Sequence, residues 1–291
     1  MSRAHLHEVA PRDGLQNEKA VLPTADKLAL VERLAAARPD TIEATSFVRP
    51  DLLPPLADAE AVCAGLRRAA WRDRVALYGL VANARGMERF LASGLDGVTL
   101  LVSSTEGHSR ANVGMSVAEA LEENLALARE ARAAGHPVRA YVSMAFGCPF
   151  DGAPPAARVM ELVAAWAEAG PEVLVLADTL GTGSVAQVEQ LVGGALERVD
   201  GEHLGVHLHD TFGHAAENAR RAWQLGVRHF DAAAGGAGGC PFAPGAKGNL
   251  DMAALAAALR EEGAEFPLDG AALREATRYL GESLARARTS A

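Results

Sequence analysis

The chain has 291 residues, 49% of them hydrophobic and 22% charged, which is enough apolar material for one large core and too much for wholesale disorder. A net charge of −9 without any cluster of Lys and Arg excludes a nucleic-acid surface, and no apolar run approaches the roughly 18 residues of a membrane span. Cys63, Cys148 and Cys240 lie far apart and make no disulfide framework. Residues 1–4 lead straight into the first strand and leave no room for a signal or transit peptide, so a reducing cytoplasm is the expected location.

Strand-like and helix-like segments alternate along the whole sequence. The first strand is expected over 6–10 and ends in Pro11-Arg12-Asp13-Gly14; Pro23 and Thr24 open the first helix. Further strands are expected at 41–47, 75–81, 97–102, 138–145, 172–176, 204–208 and 229–233. Helices fall between them at 57–69, 86–92, 116–134, 156–169, 184–199 and 214–225, with another starting near Asn249. Eight β-α units at intervals of about 30 to 35 residues fit a TIM (β/α)8 barrel. The doubly wound alternative lacks a Gly-x-Gly-x-x-Gly after the first strand. No linker interrupts the series, so the chain reads as a single domain over 1–291, with an extra amphipathic C-terminal helix at 269–288.

In such a barrel the functional groups belong at the C-terminal ends of the strands. Arg12, Asp13 and Gln16 follow strand one, and Glu43 and Ser46 lie on strand two. Glu106, His108 and Asn112 fall in the loop after strand four, Ser143 ends strand five, and Asp178-Thr179 end strand six. His207 and His209 end strand seven and, by period-two alternation, share a face; Cys240 and Asn249 follow strand eight. His5 and His7 sit at the opposite end of strand one and read as structural. Two imidazoles, the Asp13 carboxylate and the Asn249 amide form an N/O shell without thiolate, which suits Mg²⁺ or Mn²⁺ better than structural Zn²⁺. Two positions stay open for a substrate that chelates through two oxygens. Blander roles compete: Asp13 as a turn former, Asn249 as a helix N-cap, and Glu43 and Asp178 as carboxylates satisfied by Arg12. Asp210 alternates away from His209 and reads as support for the strand end. Cys240 lies in Gly238-Gly239-Cys240-Pro241-Phe242, a loop able to carry a thiol to a substrate for proton transfer; Gly147-Cys148-Pro149-Phe150 is a similar run.

Several stretches, taken in order, resemble the 3-hydroxy-3-methylglutaryl-CoA (HMG-CoA) lyase family of TIM-barrel metallolyases. They are the run from Pro11 to Lys19, Ile42-Glu43-Ala44-Thr45-Ser46-Phe47-Val48, Gly147-Cys148-Pro149-Phe150, Asp178-Thr179, His207-Leu208-His209-Asp210-Thr211, and the run from Gly238 to Asn249. The resemblance implies Asp13, His207, His209 and Asn249 as metal ligands, Arg12 as the group stabilising an enolate, Cys240 in proton transfer, and Glu43 and Asp178 as carboxylates at the reacting centre. Gln16, Ser46, His108 and Asn112 are the candidates for contact with an acyl-CoA substrate. It further implies retro-Claisen cleavage to acetyl-CoA and a keto acid, a part in leucine breakdown, and a homodimer, for which the terminal helix is the only element the sequence offers. The chain departs from the family at His108, where an aromatic is usual, and at Phe242, Lys247 and Asp251-Met252-Ala253. These departures crowd around the acyl group and leave citramalyl-CoA or a longer 3-hydroxy-3-alkylglutaryl-CoA as alternative substrates, with a Claisen-condensing synthase of the same superfamily as the competing activity.

Overall fold

The structure is a computed structural model that describes residues 2–238 and 248–289. Eight strands, β1 (His5–Glu8), β2 (Thr41–Ser46), β3 (Ala76–Leu80), β4 (Gly97–Ser103), β5 (Val138–Ser143), β6 (Val173–Asp178), β7 (Leu204–Leu208) and β8 (His229–Ala232), pair in parallel in chain order. β8 closes on β1, with His5 opposite His229 and Glu8 opposite Ala232, so the expected TIM barrel is the fold found. Around it run α1 (Thr24–Ala37), α2 (Ala59–Leu66), α3 (Ala84–Leu91), α4 (Glu106–Val113), α5 (Val117–Ala133), α6 (Ala156–Ala169), α7 (Val185–Leu196), α8 (Ala215–Leu225), α9 (Met252–Glu261) and α10 (Gly270–Thr289).

The main apolar core lies between barrel and helices. Leu30, Val31 and Leu34 of α1, Val159, Leu162, Val163 and Trp166 of α6, and Val188 and Val192 of α7 recur at three- and four-residue spacing and are buried against the strands. Inside the barrel polar groups stand beside a small apolar cluster of Tyr141, Val173, Val175 and Ala177. Arg139 of β5 reaches Asp231 of β8, strands that are not neighbours, and His7 of β1 packs edge-on to Tyr78 of β3.

Three local differences from the expected elements have identifiable causes. The stretch after β4, expected as a loop, is helix α4: Thr105 takes an extended N-cap conformation, and Gly114 at φ 76° ends the helix. β5 stops at Ser143 because Met144 takes a left-handed φ of 56°. The last helix of the repeat starts at Met252 and not near Asn249, because Asp251 is its cap, accepting from the amides of Ala253 (2.6 Å) and Ala254 (3.3 Å). That relieves Asn249 of the capping role.

α10 lays Leu273, Ala276, Leu280 and Leu284 against its own chain, chiefly against α1. The Tyr279 hydroxyl donates to Asp26 (2.9 Å), and the Arg33 guanidinium lies 4.0 Å from the Tyr279 ring centre. The apolar stripe offered for dimerisation is thus occupied within the subunit. Leu280→Ala is expected to cost about 2–4 kcal/mol, read as a lower urea midpoint at unchanged slope; an unchanged midpoint would show that the stripe is not packed as described.

Candidate functional site

The site starts at the end of β1. Residues 10–14 form one π-turn in which the Val9 carbonyl accepts from the amides of Arg12 (3.2 Å), Asp13 (2.8 Å) and Gly14 (3.1 Å). Such turns carry one more residue than an α-helical turn and are frequent at functional sites. Glu8, just before it, accepts from the amides of Ala10 (2.8 Å) and Ala234 (3.0 Å) and so ties the β1 turn to the end of β8. Burial pushes the Glu8 carboxyl up to about 8, against those two amides. Gly238 passes so close that a Cβ there would lie 2.8 Å from Asn249 Nδ2 and 3.2 Å from the Asp13 carbonyl, and its φ of +102° also requires glycine.

Barrel closure brings the metal-ligand candidates together. Asp13 Oδ2 lies 3.6 Å from His209 Nε2 and 4.0 Å from His207 Nε2, and one ligand atom from each of the three fits within 4.8 Å of the others. Asn249 pairs with His209 in an antiparallel bridge, fixed on either side by Leu250 N donating to Leu208 O (2.9 Å) and Asp210 N to Gly248 O (2.7 Å). Its Nδ2 donates to Asp13 Oδ2 (2.8 Å) and Ala237 O (2.9 Å), while its Oδ1 is buried with no hydrogen-bond partner among the described residues. A partnerless amide oxygen beside a carboxylate and two imidazoles is the donor set a hard divalent cation completes, so the residues fit a divalent metal. Asp210 does not belong to this set; its carboxylate accepts from Ala215 N (3.2 Å) at the start of α8. Burial alone would raise the Asp13 pKa, but Arg12, together with the hydrogen bond to His209 and the charges of both histidines, holds it well below the usual carboxylate range. Asp13 is therefore ionised, as a ligand must be.

A group that the sequence did not single out supports His207. Asp231 Oδ2 lies 3.2 Å from His207 Nδ1 and accepts from the Tyr141 hydroxyl (2.5 Å), while Oδ1 accepts from Arg139 Nη2 (2.6 Å). Burial works to raise the Asp231 pKa; Arg139 and His207 outweigh it and hold the carboxyl down. An ionised Asp231 accepts a hydrogen bond from His207 Nδ1–H, which fixes the tautomer that leaves the Nε2 lone pair for a metal. The available signal was alternation: Arg139 with Tyr141 on β5 and Asp231 on β8 put charge at interior positions of buried strands.

Arg12 is buried and doubly anchored. Its Nε donates to Glu43 Oε2 (2.5 Å) and its Nη1 to Asp13 Oδ1 (2.6 Å) and Gln16 Oε1 (3.3 Å). Nη2 has no acceptor among the described residues, and Arg12 lines a cavity of about 690 Å³ together with Asp13, Gln16, His108 and Asn112. A register shift between Glu43 and Thr45 interrupts the β2–β3 ladder, and such bulges recur where a side chain is re-aimed. Glu43 thus meets Arg12 as the structural alternative foresaw. Asp178 does not: Oδ1 accepts from Gly181 N (3.0 Å) and Thr182 N (3.1 Å), and Oδ2 from Gly183 N (2.8 Å), so backbone amides satisfy it. Ser46 is buried and turns back on its own loop, accepting from Val48 N (3.3 Å), and is not in the cavity wall. Cys240, with Phe242 and Lys247, lies outside the described residues.

The barrel and this site define a metal-dependent carbon–carbon lyase of the TIM-barrel metallolyase class. The family model described as HMGL-like matches residues 3–280, and the chain belongs to that family, the HMG-CoA lyases. A hydroxymethylglutaryl-CoA lyase of Bacillus subtilis is 39% identical over 244 residues, covering 84% of this chain and 81% of that protein. An (R)-citramalyl-CoA lyase of Chloroflexus aurantiacus is 37% identical over 293 residues, covering 98% of this chain and 92% of the relative. The crystal structure of the HMG-CoA lyase from Brucella melitensis superposes with a TM-score of 0.93 at 40% identity, covering 97% of this chain and 99% of that one.

Two outcomes follow from these contacts. Asp231→Asn, which removes the acceptor for His207 Nδ1–H but keeps the side-chain size, is expected to weaken Mn²⁺ binding roughly 10- to 100-fold by titration calorimetry; unchanged affinity would remove Asp231 from the site. Glu8 has a folded pKa of about 8, above its unfolded value of 4.5, so the folded state holds the extra proton between those values. Its contribution is full below about pH 4.5 and lost by about pH 8. Relative to wild type, Glu8→Gln should therefore gain stability as pH rises through that window, and a pH-independent difference in urea melts would contradict the assignment.

Proposed function

We propose that this chain cleaves HMG-CoA to acetyl-CoA and acetoacetate, using Mg²⁺ or Mn²⁺ held by Asp13, His207, His209 and Asn249. The observation that carries this reading is the partnerless Asn249 oxygen beside the Asp13–His207–His209 cluster, next to the anchored Arg12. When bound, the ion supplies Lewis-acid polarisation of the substrate's oxygens. The chain's own residues do the rest. Arg12, fixed through Nε and Nη1, points its remaining arm to the thioester oxygen and stabilises the enolate formed as the C2–C3 bond breaks. The hydroxyl proton goes to a carboxylate of the reacting centre. Of the two candidates, Glu43 keeps an oxygen, Oε1, without a partner among the described residues, whereas amides already occupy both oxygens of Asp178. Asp178 then acts by shaping the β6 loop, from which its carbonyl accepts His209 N (3.1 Å). Cys240 is assigned the proton that completes acetyl-CoA.

A second substrate is supported by the Chloroflexus relative: citramalyl-CoA undergoes the same scission with a shorter carboxylate arm. On the family resemblance we extend the reading to a homodimer and to leucine breakdown, and on the three widely spaced cysteines to a reducing cytoplasm. Purified protein with Mg²⁺ is expected to release acetyl-CoA from HMG-CoA, and Arg12→Gln to lower kcat about 10²- to 10³-fold. Metal-loaded protein that releases acetyl-CoA from neither thioester overturns the reading.

A further inference from the structure

The β4 side of the cavity carries a hydrogen-bond relay that the cleavage chemistry leaves unused. The Thr105 hydroxyl donates to the buried Cys148 Sγ (3.0 Å), which also accepts from Phe150 N (3.4 Å). Having given its proton to sulfur, Thr105 can only accept at its oxygen. Ser103 Oγ accepts from Thr105 N (3.3 Å) and has one proton to give, with two acceptors in reach: Thr105 Oγ1 at 3.5 Å and His108 Nδ1 at 3.1 Å. We assign that proton to the shorter contact, with His108 accepting at Nδ1 and carrying its own proton on Nε2; the opposite tautomer, Nδ1–H donating to Ser103 Oγ, would leave Nε2 with no proton to give. Burial lowers the His108 pKa against the opposing charge of Asp151, which keeps the ring neutral at pH 7. Nε2 has no partner among the described residues, and His108 lines the cavity.

Along the β2 and β3 ends the cavity wall is mostly apolar, with Val48, Leu52, Leu53, Leu80 and Val81 beside Arg49 and Asn83. Along the β4 to β6 ends it is mixed, with His108, Asn112, Ser143 and Thr179 standing among Leu101, Val113 and Met115. In a closed barrel ordered from β1 to β8, β4 lies across the mouth from the β1, β7 and β8 ends that carry Asp13, His207, His209 and Asn249. We propose that His108 is a specificity-determining residue: Ser103 fixes its tautomer, and its Nε2–H donates to the terminal carboxylate of the acyl group. The apolar side then takes the alkyl part of the thioester arm. This inference rests on the proposed acyl-CoA substrate and gives Thr105 and Cys148 a task, holding Ser103 in the donating orientation.

The test is binding, which does not depend on turnover. Calorimetric titration of the Mg²⁺-loaded protein compares glutaryl-CoA with valeryl-CoA, acyl chains of equal length with and without the carboxylate. Wild type is expected to prefer glutaryl-CoA about tenfold, the effect of one hydrogen bond to a charged group. His108→Phe should erase most of that preference, His108→Gln should restore part of it through its amide N–H, and Ser103→Ala should reduce it. Should His108→Phe not fold, as judged by its thermal melt, the other two variants decide. A wild type without preference, or a folded His108→Phe that keeps the full preference, overturns the inference. A wild type that shows the His108-dependent preference but releases no acetyl-CoA from HMG-CoA supports it and overturns the cleavage reading instead.

Discussion

The site depends on one buried cation held between two carboxylates. Arg12 bonds Glu43 through Nε and Asp13 through Nη1, which positions the ligand Asp13 and the arm facing the substrate in a single step. Burying such ions costs several kcal/mol each, and their attraction recovers this only when geometry and hydrogen bonding are both good. The network is therefore weak evidence for stability and better evidence for placement. Its charge is also unbalanced: Arg12 and Arg139 face Asp13, Glu43 and Asp231, and the buried Asp178 carboxylate lies close enough to His209 to feel its charge, so the interior carries an excess of acidic groups that favours a divalent cation.

Closure of the barrel turns this local arrangement into a site. Asp13 and Asn249 are 236 positions apart in sequence, yet their side chains are 2.8 Å from one another. Two contacts hold that approach. Glu8 bonds amides at the ends of both β1 and β8, and residues 248–250 are fastened to the end of β7 by backbone hydrogen bonds. Gly238 supplies the clearance. Misplacing either segment by the width of a methyl group separates the ligands, because a Cβ at Gly238 already collides with Asn249.

Much of this was legible in the sequence because it is periodic. Strand–helix alternation identified the barrel, and α6 and β7 begin and end where the apolar pattern says they should. Alternation put His207 and His209 on one face, and the position of Asp13 at a strand end led to the third ligand. What stayed hidden is not periodic. α4 is short and weakly amphipathic, so its capping residue and terminal glycine mark it better than its hydrophobic pattern does. Asp178 looks like any strand-end carboxylate until the three amides of the following turn are in place. Asp231 and Arg139 are separated by 92 positions, and only the closed barrel shows that they are partners.

The two halves of the barrel mouth carry different constraints. The β1, β7 and β8 ends are tightly coupled: Asn249 bonds Asp13 and bridges to His209, and Asp231 holds His207, so a substitution there disturbs several of the proposed ligands at once. At the β4 to β6 ends polar groups are oriented by local bonds, His108 by Ser103, Ser143 by the Val102 carbonyl and Thr179 by Met144 N. On the proposed reading, changes on that side alter which acyl group is held while the bonds of Arg12 to Glu43 and Asp13 stay in place. This division explains how one scaffold is shared by relatives named for HMG-CoA and for citramalyl-CoA. The two thioesters present the same tertiary alcohol and differ by one methylene in the carboxylate arm. On the role proposed for His108, that methylene is accommodated beside His108, across the mouth from Asp13, His207, His209 and Asn249.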